Sequence, residues 1–167
     1  MSDLIYNQKK IPRRQWRYGL RSSAATGCGW IATYNALRLM GYHVDVEKLI
    51  HYFTWQVPII NGNMGTFLFG PAIFFRQKGF PVKVTARRKE FDDLVKNSDV
   101  SVLFYYWSRK FRFGAHFVAV RYQNGEYAGY NTYSNSNGPD VYGESLETYL
   151  KKQKYCFPVL MAVRDKR

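Results

Sequence analysis

Apolar residues recur at helical spacing between Thr26 and Gly41, where Ile31, Tyr34, Ala36, Leu37 and Met40 predict a central amphipathic helix. Thr26 reads as its N-cap and Gly41 as its stop. A shorter helix is expected after Asp45, with Val46, Leu49, Ile50 and Phe53 on one face. A third runs over 67–78, begins or bends at Pro71 and ends at Gly79. The period then changes: Val82 and Val84 alternate with Lys83 and Thr85 as in a half-exposed strand, and Phe91, Leu94 and Val95 mark a small helix. Residues 100–107 are almost unbroken apolar and read as a buried strand. Strands over 115–122 and 126–130 flank Asn124-Gly125, a strong hairpin signal. Residues 133–138 read as a loop, Ser145 caps a helix bearing Leu146, Tyr149 and Leu150, and 157–163 form a terminal strand. Helices followed by antiparallel strands predict an α+β domain of N-terminal helices packed on an antiparallel sheet, preceded by a basic arm over 1–21.

At 167 residues the chain is expected to form one domain over 1–167 without metal or disulfide staples. The first ten residues have no apolar core after a basic stretch, and no window approaches the roughly 18 continuous apolar residues of a membrane span. A soluble, cytoplasmic protein is therefore expected. Cys156, entering the last strand, reads as a buried thiol, and a disulfide between two such distant cysteines is not expected in this setting. His43, His51 and His116 show no metal-ligand spacing with either cysteine, so no metal is called for. The net charge of +13 is spread from Lys9, Lys10, Arg13, Arg14, Arg17 and Arg21 to Lys151, Lys152 and Lys154, a surface suited to an acidic partner. Nucleic-acid binding is disfavoured as the main activity, because Tyr105, Tyr106 and Trp107 lie in a strand that reads as buried.

The candidate chemistry lies in Gly27-Cys28-Gly29, where a thiol stands at the first turn of the central helix. Unpaired N–H groups and the helix dipole favour negative charge there, so a lowered thiol pKa is expected. Downstream, His116 opens a strand within Gly114-Ala115-His116-Phe117-Val118-Ala119-Val120, and Asn131 ends the partner strand of the same hairpin. Cys, His and Asn in that order suggest a thiol hydrolase, with the Cys28 sulfur and the His116 ring within about 4 Å of each other.

This ordered set resembles the papain fold and, within it, the bacteriocin-processing, double-glycine cysteine peptidases and their stand-alone relatives. The resemblance runs from Cys28-Gly29 through the glycine-ended helix and strand at 75–84 to His116 and a polar residue some fifteen positions later. It implies Cys28 as nucleophile, His116 as the group that takes and returns the proton, Asn131 as its orienting partner, a peptide or protein substrate, and no cofactor. Two positions depart from the family. Ser22 stands where a glutamine usually binds the oxyanion, leaving Ser22, Gln15 or the Cys28 backbone N–H for that role, and Asn131-Thr132 replaces the usual Asp-Pro. The same triad serves acyl transfer, including glutamine deamidation. The alternative is an inactive papain-like module that binds peptides or polyanions.

Overall fold

The computed structural model describes residues 4–56, 65–109, 112–132 and 137–167; of the predicted loop over 133–138, residues 133–136 lie outside the described residues. Strands β1 (Arg17–Tyr18) and β2 (Arg21–Ser22) form a small ribbon, followed by the short helix α1 (Ser23–Thr26) and the central helix α2 (Cys28–Leu39). Helices α3 (Val46–Trp55) and α4 (Gly70–Gln77) come next. Then follow β3 (Val82–Thr85), α5 (Phe91–Lys96), β4 (Val100–Arg109), β5 (Arg112–Gln123), β6 (Glu126–Tyr130), β7 (Asp140–Gly143), α6 (Leu146–Lys152) and β8 (Cys156–Val163). The main sheet has the order β3-β8-β4-β5-β6-β7, antiparallel at every pairing. The chain is α+β, as its pattern predicts.

Local chemistry accounts for most boundaries. Asp45 caps α3 by accepting from Lys48 N–H at 3.0 Å. Helix α2 closes on Gly41 in the left-handed region (φ +85°), where Tyr42 N–H returns to Leu37 O at 3.0 Å. Asn124 and Gly125 both take positive φ, +52° and +86°, as the β5–β6 hairpin turn requires. Thr26 is not the cap of α2. A separate helical turn occupies Ser23–Thr26, Gly27 is the N-cap, and the Thr26 hydroxyl is buried without a hydrogen bond among the described residues. Helix α4 begins at Gly70 rather than 67, with Pro71 in its first turn, where a missing N–H costs nothing.

The sheet is covered on both faces. One core joins Trp30, Ile31, Phe53 and Phe75 from α2–α4 to Val102, Phe117, Ala119 and Met161. The other joins Phe91, Val95, Leu146 and Leu150 from α5 and α6 to Leu103, Val118, Val120 and Leu160. The N-terminal helices thus cover one face of the sheet, and the two later helices expected from Phe91 and Ser145 cover the other. The N-terminal arm also departs from its polar reading: Gln8, Ile11 and Tyr18 are buried. Asn35 of α2 clamps the arm, accepting from Ile5 N–H at 2.9 Å and donating to Ile5 O at 2.8 Å. Strands β1 and β2 escape the periodicity argument because two residues cannot establish a period of two. Cys156 is exposed, not buried, since β8 starts before the helices cover it.

Gly29 lets Thr66 come against α2; a Cβ there would stand 2.3 Å from Thr66 Oγ1 and 2.4 Å from its Cβ. Alanine for glycine inside a helix ordinarily stabilises by roughly 0.5–1 kcal/mol. Here Gly29→Ala is expected instead to destabilise by about 1–3 kcal/mol in urea unfolding, with part of the loss recovered in Gly29→Ala/Thr66→Gly. A stabilised Gly29→Ala protein contradicts the packing described.

Candidate functional site

Cys28 is the first residue of α2, and residues 29–37 of that helix are buried without exception. The helix lies across β5, so the thiol meets the main chain of that strand. Its sulfur receives N–H groups from Phe117, Gly29 and Cys28 itself. Phe117 is the neighbour of His116, so the thiol meets the strand that carries the histidine. His116 pairs across β4 with Tyr105, and the two rings meet edge-on at 5.9 Å between centroids. Its Nε2 lies 2.6 Å from the main-chain oxygen of Asn131. A carbonyl only accepts, so Nε2 carries the hydrogen and Nδ1 is the basic nitrogen.

Asn131 meets His116 through its main chain rather than through its side-chain amide. It is wholly buried, with φ +68°. Its side chain turns from the imidazole to Gln8, accepting from Gln8 N–H and donating to Gln8 Oε1, each at 2.9 Å. The expected orienting amide is therefore replaced by the same residue's carbonyl, while the amide ties down the N-terminal arm.

Ser22, expected at the oxyanion, pairs with Arg17 in the β1–β2 ribbon and borders an arginine-lined cavity. The buried hydroxyl of that segment belongs to Ser23, which accepts from Trp30 Nε1 at 3.1 Å and donates to Trp16 O. Gln15 is exposed. Two residues missed in the sequence pack at the start of α2, Thr66 against Gly29 and Tyr18 in the same core. Tyr18, fully buried, reaches Phe53 O, Gly65 O and Thr66 Oγ1 at 3.2, 3.3 and 3.0 Å, and its hydroxyl is coupled electrostatically to Cys28. Nothing in the spacing of Tyr18 or Thr66 marks them, because a loop and a two-residue strand carry them.

Burial decides the charge state. Desolvation raises the Cys28 thiol to about 11, outweighing the N–H groups that favour the thiolate. The expected lowering at the helix start is thus overturned. Desolvation likewise lowers His116 to about 4, against the bond to Asn131 O, which supports the charged ring. The resting site holds a neutral thiol and a neutral imidazole. Burial also lifts the Tyr18 phenol to about 12. Among the described residues no group of three or more His, Cys, Asp and Glu side chains is placed to hold a metal ion. No described helix is long and apolar enough to cross a membrane.

Compared with known proteins, the chain matches no family model and no curated sequence.

Two outcomes follow from this geometry. Between about pH 6.5 and 4 the unfolded chain binds a proton at His116 that the native state refuses, so stability falls on acidification through that window, by up to about 3 kcal/mol. Between about pH 9 and 11 the unfolded thiol ionises first, and stability falls as pH rises. Denaturant midpoints across pH check this: His116→Gln reduces the slope of the acid limb alone, and Cys28→Ser that of the alkaline limb alone, where Tyr18 keeps the remainder.

Asn131→Ala removes both bonds to Gln8 and a side chain tolerant of positive φ. It is expected to cost about 1–3 kcal/mol and to expose the arm to proteolysis. The 15N shifts of His116 should keep the Nε2–H tautomer, because its acceptor is main chain; a tautomer switch returns the orienting role to the amide.

Proposed function

We propose that the protein is a papain-like thiol enzyme, similar to the bacteriocin-processing cysteine peptidases, that opens a peptide or amide bond through a thioester on Cys28. The observation that carries this reading is the meeting of a helix-start thiol with the strand of a histidine whose Nε2–H is anchored, leaving Nδ1 as base. In the reaction Nδ1 takes the thiol proton as sulfur attacks the substrate carbonyl. The C–N bond then breaks and the imidazolium gives that proton to the leaving amine. Water, deprotonated by the same nitrogen, releases the acid and restores the thiol. Main-chain N–H groups of Cys28 and Phe117, already directed at the sulfur, are the oxyanion donors in place of the family's glutamine. The proton transfer needs sulfur and Nδ1 within hydrogen-bond reach of each other.

One observation favours a second reading, an inactive module of the same build that binds peptides. A thiol at about 11 beside an imidazole at about 4 is uncharged, the state a buried structural pair would hold.

The two readings separate by acylation. Incubated with a mixed panel of short peptide thioesters and analysed by intact-mass and tryptic mass spectrometry, the wild-type protein should acquire an acyl group on Cys28. The adduct should fall at least about a hundredfold in His116→Ala and vanish in Cys28→Ser. Free alkylation by iodoacetamide at pH 7 should favour the exposed Cys156 over Cys28, since only the thiolate reacts. Acylation that ignores His116 removes the catalytic reading and leaves the binding module.

A further inference from the structure

Four arginines, Arg13, Arg14, Arg17 and Arg21, gather around the β1–β2 ribbon and line a cavity of about 750 Å3. Arg17 and Leu20 also line a second cavity of about 640 Å3 against α3, so the two adjoin at these residues. The halves differ in chemistry. The first is cationic: no Asp or Glu occurs between Asp3 and Asp45, and among the described residues none of the four arginines forms an ion pair. The second is more apolar, lined by Ile50, Leu20 and Trp55, with Glu47, His51 and Thr54 also on its wall; Leu20 and Trp55 remain 76% and 62% exposed. Single exposed apolar residues need no explanation, but a leucine and an indole facing one groove beside uncompensated guanidinium groups do.

We infer that this groove binds an acidic peptide segment, its carboxylates held by the arginines and one large apolar side chain seated between Leu20 and Trp55. Guanidinium groups take carboxylates bidentately, which suits a cluster of arginines without lysine. The carboxylate of Glu47 on the wall of the apolar half repels a chain charged at every unit, such as a phosphate backbone, whereas a peptide can place its uncharged residue there. The groove is thus mixed where a nucleic-acid track is uniformly positive. The inference stands apart from the thiol chemistry, since neither Cys28 nor His116 lines the groove.

The test uses the full chain carrying Cys28→Ala, so that turnover plays no part. Fluorescence anisotropy is measured with a labelled peptide of Glu and Asp bearing one central leucine, the same peptide with alanine at its centre, and a short oligothymidylate of equal charge. The leucine peptide is expected to bind best. Its affinity should fall about tenfold or more in Arg13→Glu/Arg14→Glu, and severalfold in Trp55→Ala or with the alanine peptide. Lys151→Glu/Lys152→Glu, which makes the same change in net charge elsewhere, should leave it within about twofold. Thermal unfolding of each variant confirms that it is folded, and Arg21→Glu supplies a second probe of the cationic half should the double variant fail to fold. Tighter binding of the oligothymidylate, equal loss in the lysine variant, or no peptide binding overturns the inference.

Discussion

Nearly everything in this protein depends on the burial of one short helix. Residues 29–37 of α2 are enclosed by β5, α3, α4 and the N-terminal arm, and each large side chain so buried contributes about 1.5–3 kcal/mol. A helix enclosed on all sides has no solvent to satisfy its polar groups. Thr33 therefore bonds back to Gly29 O, Asn35 clamps Ile5, and Trp30 finds Ser23. These bonds draw the arm and α1 onto the sheet, and they hold Cys28 against Phe117.

The same burial sets the character of the candidate site. A helix start and three N–H groups would lower a thiol in a wetter setting, yet here desolvation is the larger effect and the thiol rises. His116 responds in the opposite direction for the same reason, because the charged form of each group is the one that loses water. On the proposed reading the site is silent at rest and depends on substrate to assemble the ion pair.

Gln8 and Asn131 show how a residue can hold its place and change its task. Both residues are buried, and across 123 positions of sequence the Asn131 amide accepts the Gln8 main-chain N–H and donates to the Gln8 side-chain oxygen. That exchange fastens the arm to the end of β6 and frees the Asn131 carbonyl for the imidazole. The ring is oriented either way, but by a group that substitution of the side chain does not remove.

The sequence by itself determined what depends on neighbours close along the chain. The central helix and its glycine stop, the Asp45 cap, the Asn124-Gly125 turn, the strands around it and the α+β class all follow from periods and turn residues readable within a few positions. It also determined that Cys28 opens a helix and that the His116 strand and Asn131 belong to one hairpin. Tertiary structure decided what depends on water and on distant partners. Whether Cys156 is covered, where Asn131 turns its amide, how Tyr18 and Thr66 come beside Cys28, and which way burial shifts thiol and imidazole cannot be read from spacing. Each is set by which surfaces meet after folding, and desolvation has no signature in the order of residues.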